Sequence, residues 1–300
     1  QLGRTLSGLT QTGFYDEASL REAARQITPS KFAAFVDELL EDALVRVYLF
    51  GNYDNAFAET MAQRIREGLP ARSESASDYV RKRFYAPESA KTVAYNTDLP
   101  VDDLGMMLLY AAPEASVARE AAGRVLARHL RNRVFDTLRT EEQLGYAAGG
   151  ITTTLQDHPM IGFYIQTPVK GPVEMLARFE AFAQEYGETL EALSADQFAN
   201  LKSGVLTALT EPPTNLADEA GPFLSDWNRE RYEFGSRQQM IAAVDAVTID
   251  DVRAYYRETV LAPKPSRILI QLRGERWSDS PFAVIEGATV IDSIEAFHES

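Results

Sequence analysis

The stretch Arg131-Asn132-Arg133-Val134-Phe135-Asp136-Thr137-Leu138-Arg139-Thr140-Glu141-Glu142-Gln143-Leu144-Gly145-Tyr146 holds the turning point of the chain. Upstream of it, Ser116 can cap a long helix running to about residue 139. Downstream, residues 144–154 and 160–167 read as paired strands joined through residues 155–159. The helix therefore stops near Arg139-Thr140, and the chain turns through residues 141–143 into a strand. Gly145 suits a close backbone approach or an unusual φ at that point. Phe135, Leu138 and Leu144 read as core, and Tyr146 projects from the strand start. Glu141 and Glu142 are consecutive, so their side chains diverge and the pair reads as a solvated turn.

Outward from this stretch the pattern alternates helices and strands. Residues 104–111 form an apolar, strand-like run, and residues 91–97 and 267–272 read as further strands. Helical spacing covers about 173–193, 195–210, 215–231, 236–246 and 249–259, the last capped by Thr248. Before residue 91 the reading is a helix over 17–27 capped by Asp16, and a second opened by Thr28-Pro29. The second carries an apolar stripe of Phe32, Phe35, Val36, Leu39 and Leu40. A β-rich run over 44–50, a helix over 55–69 and a strand over 79–85 follow. Residues 27–32 align with 247–252, and Phe35 with Tyr255; each Thr-capped helix runs toward a strand ended by a glycine, Gly51 or Gly274. The physical reading is duplication of one α+β unit, truncated in its first copy. Residues 275–300 suit an edge strand and a short helix docked on the surface.

Composition narrows the function classes. Apolar residues make up 45% and charged residues 25%, the balance of a globular chain. No apolar run approaches the roughly 18 residues of a membrane span. A net charge of −14 argues against a nucleic-acid surface; it reads first as solubility, with a wall that favours basic peptides as the sharper alternative. With no cysteine, disulfides, thiolate metal sites and a cysteine nucleophile are excluded.

The three histidines, His129, His158 and His298, lie too far apart in sequence for two imidazoles to share one helix face. His129 reads as structural within its helix, His158 as a loop residue before a proline, and His298 as part of the tail. No H-E-x-x-H, H-x-x-E-H, G-x-S-x-G or phosphate-loop motif occurs. No metal site is expected within this chain.

The segment from Phe135 to Tyr146 closely resembles the F-x-x-L-R-T-x-x-Q-L-G-Y signature in the C-terminal half of the pitrilysin and insulin-degrading (insulinase) family of zinc metallopeptidases. Tyr95-Asn96-Thr97-Asp98 and Val47-Tyr48-Leu49-Phe50-Gly51-Asn52 resemble flanking family segments. The similarity covers about residues 9–274. It implies an α+β fold of homologous sandwich units, each a mixed sheet packed by helices, the first truncated and the second complete. Residues 1–88 would close a third domain, 89–275 form the fourth, and 276–300 make a tail. It also implies zinc bound by the N-terminal half of the same polypeptide, with Arg139 and Tyr146 reaching the substrate near the metal. Phe135, Gln143 and Gly145 follow as neighbours on the substrate side. Ala147-Ala148-Gly149-Gly150 departs from the bulky β-branched residues usual in relatives.

The function expected from this resemblance is the non-metal half of a zinc endopeptidase, walling a closed chamber for peptides. The rival readings are a separate zinc-less, peptide-binding or scaffolding subunit of a processing-peptidase-like complex, and an inactive relative in cofactor biosynthesis. Gln1 and the residues after it carry no signal pattern, so the chain reads as a piece of a longer polypeptide. The compartment expected from the likeness to pitrilysin is the periplasm, with the cytoplasm as the alternative.

Overall fold

The computed structural model describes residues 1–15, 17–41, 45–68, 85, 90–155 and 157–299. The chain begins with helix α1 (Leu2–Thr10), then α2 (Glu17–Arg25), α3 (Pro29–Glu41) and α4 (Asn55–Gly68). Strands β1 (Thr92–Leu99) and β2 (Leu104–Ala111) precede α5 (Val117–Val134), which continues as a π-helix over Phe135–Glu141. Next come the hairpin β3 (Ala147–Leu155) and β4 (His158–Thr167), then α6 (Pro172–Glu191), α7 (Ala195–Thr210), α8 (Leu216–Asn228), α9 (Ser236–Ala246) and α10 (Ile249–Thr259). The chain closes with β5 (Ser266–Gly274), a 3-10 turn (Glu275–Trp277), β6 (Thr289–Ile291) and α11 (Ile294–Glu299).

Two compact units result. The larger comprises Gln1–Phe14, Arg83–Glu211 and Gln238–Ser300; the smaller comprises Tyr15–Lys82 and Pro212–Arg237. The larger is built on a six-stranded sheet in the order β3-β4-β2-β5-β1-β6. β1 runs parallel to β5 and β6, whereas β2–β4, β2–β5 and β3–β4 are antiparallel. The expected mixed α+β sheet packed by helices is therefore present.

β2 explains why its sequence is apolar throughout. Leu104, Met106, Leu108 and Tyr110 pack in one core with Val125, Leu126 and Leu130 of α5 and Phe179 and Phe182 of α6. Met107, Leu109 and Ala111 point to a second core with Leu6 and Leu9 of α1 and Ile268, Ile270 and Leu272 of β5. A strand covered on both faces has no polar side to alternate with. Buried Gln271 is fully paired, donating to Asn96 Oδ1 (2.8 Å) and Ala283 O (2.9 Å) and accepting from Ala283 N (2.9 Å). The chain after residue 275 reads as expected, with β6 as an edge strand and α11 as a short helix.

In the smaller unit, the segment 45–50 packs on α8. Tyr48 lies against Trp227, Phe50 stacks on Phe223, and Arg46 sits over Trp227 while pairing with Glu230. The expected strand over 44–50 is not there: residues 45–50 carry no ladder, and residue 44 lies outside the described residues. A β-rich composition specifies a strand only where a neighbouring edge is available to pair. The strand expected over 79–85 also lies outside the described residues, except Tyr85, whose N–H donates to Thr10 O. The Asp16 cap falls outside them as well.

Both copies of the duplicated cap form. Thr28 Oγ1 accepts from Lys31 N (3.3 Å), and Thr248 Oγ1 from Asp251 N (3.2 Å). In the second copy Asp251 bonds back to Thr248 N (2.8 Å), and those bonds from Thr248 hold its carboxyl below the usual carboxylate range. The copies differ in burial: Tyr255 is 2% exposed, whereas its counterpart Phe35 is 56% exposed.

Candidate functional site

Arg139 and Tyr146 are brought together by the way α5 ends. The helix opens from i→i+4 into i→i+5 bonding, with Glu142 N–H donating to Thr137 O (2.9 Å). π-turns insert one extra residue and frequently mark functional positions. Gln143 then takes a left-handed conformation (φ 52°), and Leu144 N–H donates to Leu138 O (2.9 Å), closing the helix. Gln143 thus serves by its backbone as the reversal point, and its side chain is exposed. The sequence expectation of a helix to about residue 139 holds in extent, but its last turns are π rather than α.

Gly145 follows because of close approach, not unusual φ. A Cβ added there would lie 2.0 Å from Gln166 O and 3.0 Å from Gln166 C. Buried Thr167 fixes the same loop by donating its hydroxyl to Leu144 O. The strand begins at Ala147 rather than at residue 144, so Tyr146 stands before the ladder, 85% exposed.

The Arg139 guanidinium lies over the Phe135 ring (4.5 Å) and over the Tyr146 ring (5.1 Å). Cation–π contact holds its plane while leaving its edge donors for another acceptor. Among the described residues no carboxylate forms an ion pair with Arg139. Leu138 and Leu144 are buried as expected. Phe135 is not core: it is 40% exposed and forms one side of the arginine's stack.

Glu142 also departs from the solvated-turn reading. Its carboxylate accepts from Arg178 Nε (2.9 Å) and Nη2 (2.5 Å), and Arg178 also pairs with Glu185 (3.0 Å). The half-buried Arg178 on α6 thereby ties the reversal to the helix layer. Sequence reasoning missed Arg178, because nothing local announces a partner 36 positions away. The Phe135–Arg139 stack, by contrast, lay within reach of the i,i+4 rule.

The histidines stay apart. His129 Nδ1 meets Tyr186 Oη at 2.8 Å, His298 Nε2 meets Gly8 O, and His158 opens β4 opposite Leu155. His158 is therefore a strand residue rather than a loop one. Among the described residues no group of three or more His, Asp or Glu could hold a metal ion. No helix among them is long and apolar enough to cross a membrane.

Burial, aided by Arg133, holds the His129 imidazole below its ordinary value of 6.5. Below pH 6.5 the unfolded chain binds a proton at this residue that the folded chain resists. Stability is accordingly lost as pH falls from about 6.5 toward the folded-state value, and is regained as pH rises. Denaturant titrations across that window are expected to show this rise, and His129→Gln should flatten it. An equally steep slope in His129→Gln would assign the dependence to other groups.

Residues 125–224 match the family model described as PQQ synthase PqqF-like, C-terminal lobe domain 4. Protease 3 of Escherichia coli K12 is 24% identical over 293 residues, covering 97% of this chain and 30% of that protein. Human insulin-degrading enzyme is 22% identical, covering 83% of this chain and 25% of its own length. The crystal structure of pitrilysin superposes with a TM-score of 0.87 at 23% identity, over 98% of this chain and 31% of that one. The class that the fold defines is thus the pitrilysin-type α+β fold. The resemblance carried by Phe135–Tyr146 is borne out: the chain matches the C-terminal part of insulinase-family proteins. It spans about a third or less of the length of these relatives.

Proposed function

We propose that this chain is the non-metal-binding part of a zinc-dependent endopeptidase and that Arg139 and Tyr146 contact the substrate there. The observation that supports this best is the exposed corner itself. An arginine lying over two aromatic rings, without a carboxylate partner among the described residues, stands beside a tyrosine that is 85% exposed. Phenol and guanidinium donors held in place suit a peptide carbonyl, and suit it better as its oxygen gains negative charge. Phe135 holds the guanidinium plane, while Gln143 and Gly145 set the path that presents Tyr146.

In this reading zinc belongs to the N-terminal half of a longer polypeptide, where it supplies an activated water. Residues 1–88 then complete a third family-like domain, 89–275 form the fourth, and 276–300 follow as a tail. Together they wall a chamber for unfolded or short peptides, and the periplasm is the proposed compartment.

The first test uses a quenched fluorogenic peptide. The purified chain, free of contaminating protease, is expected to leave it intact with or without added zinc. The longer polypeptide is expected to cut it and to lose that activity to a chelator. Zinc-dependent cleavage by this chain alone, or an inert zinc-loaded longer polypeptide, would overturn the proposal.

A further inference from the structure

Buried Leu138 and Leu144 fix the two ends of the reversal that follows α5, with Leu144 N–H donating to Leu138 O (2.9 Å). Between them run residues 139–143. Among the described residues of that stretch, Glu142 alone has a side chain that hydrogen-bonds another element. Its carboxylate meets Arg178 of α6 in a fork: Nε reaches both oxygens (3.0 and 2.9 Å), and Nη2 reaches Oε1 (2.5 Å). Bidentate, charge-assisted pairing of this kind fixes direction as well as distance.

Arg178 is itself a fixed point. Its guanidinium lies 5.9 Å from the ring of Phe182, one turn further along α6, and Phe179 and Phe182 are both buried in the core. The Arg178 side chain is 15% exposed, against 58% for Glu185, the second carboxylate it meets. An ion pair with so exposed a partner adds little, so Glu142, at 30%, is the partner that matters. Arg139 differs: among the described residues it has no tether beyond the Phe135 and Tyr146 rings. Cation–π contact at an accessible site is weak, so the guanidinium goes where those rings go. Phe135 precedes the reversal and Tyr146 follows it. The two rings therefore meet at Arg139 only while the reversal keeps its shape.

We propose that Arg178 is a positioning residue for the Arg139–Tyr146 corner: through Glu142 it sets the shape of the reversal that brings both aromatic rings to the arginine. It acts through Glu142 and not on the substrate. The proposal deepens the substrate-contact reading above and rests on it only for the effect on turnover.

The test reads the corner in this chain by NMR, with no zinc and no turnover. Ring currents from Phe135 and Tyr146 displace the Arg139 Nε–H and δ-methylene resonances from those of the urea-unfolded chain, and that displacement reports the contact. Arg178→Gln and Glu142→Gln are each expected to lose most of it. The double variant Glu142→Gln/Arg178→Gln should lose no more than either single one, because both changes break the same pair. Arg178→Lys should keep only part, since an ammonium lacks the planar fork. Arg253→Gln is the control. Arg253 of α10 also holds α6, donating to Glu191 O (2.7 Å) and Leu193 O (3.2 Å) at its end. Its loss should lower the thermal midpoint without moving the Arg139 resonances.

In the longer polypeptide Arg178→Gln should lower kcat about tenfold or more, the scale of misplacing a catalytic group, with KM changed less. Unmoved Arg139 resonances in the folded single variants, additive losses in the double variant, or an equal change in Arg253→Gln would overturn the proposal. Should Arg178→Gln fail to fold, Glu142→Gln and Arg178→Lys carry the same readout. Wild-type turnover in Arg139→Ala would remove the substrate-contact reading and leave the NMR result standing. Wild-type turnover in Arg178→Gln beside an impaired Arg139→Ala would remove this proposal alone.

Discussion

Arg139→Ala in the longer polypeptide is expected to lower kcat for peptide cleavage by about 10²–10³-fold, the loss seen when one fixed donor to a developing oxyanion is removed. The side chain is positioned for this by contact with the Phe135 and Tyr146 rings rather than by an ion pair. Removing it leaves no buried charge behind, so stability should change little; the loss should appear in turnover. Arg139→Lys should restore only a small part, because an ammonium keeps the charge but lacks the planar fork and stacks less well. Tyr146→Phe should preserve the stack and lose the hydroxyl donor. A fall confined to kcat assigns a contact made as charge develops, whereas a rise confined to KM assigns uniform binding. Wild-type turnover in both Arg139→Ala and Tyr146→Phe would remove the proposed role.

Gly145→Ala is expected to be the most damaging small substitution in this region, costing about 3 kcal/mol or more of unfolding free energy. The added methyl would sit 2.0 Å from Gln166 O, which belongs to β4. That carbonyl cannot retreat easily, since β4 is paired on both sides, by β3 and by β2. The displacement must instead fall on the loop, breaking the Thr167–Leu144 bond and moving Tyr146. Gly3→Ala is the matched control: nothing lies within 4 Å of its added Cβ, and alanine favours α1. Urea unfolding of the two variants should separate them clearly. Equal midpoints would show that the loop yields without cost.

The two experiments probe different layers of one feature. The arginine and tyrosine were legible as a pair only through the motif that contains them. Taken alone, Arg139 is an ordinary helix-end cation and Tyr146 an ordinary strand aromatic. Even with the motif, the positions of Phe135 and Glu142 were misread. Phe135 follows the apolar spacing of α5, yet the π-turn carries it to the surface beside Arg139. Glu142 looked like a free turn carboxylate until α6 brought Arg178 to it.

Residue order settled what depends on neighbours within about four positions. The threonine caps at 28 and 248, the paired faces of β2 and the hairpin of β3 and β4 all arise from local hydrogen-bonding and side-chain period. The absence of a closely spaced histidine pair was likewise plain in the order alone. Tertiary structure decided which patterns found partners. Residues 45–50 have strand composition but lie on α8 without a ladder, and the stripe of α3 stays exposed where that of α10 is buried. The contact forbidding a side chain at Gly145 likewise depends on Gln166 of β4, about 20 positions away. A periodic pattern declares that a face is to be covered, but burial and hydrogen bonding also need the surface that covers it, and only the packed chain supplies that.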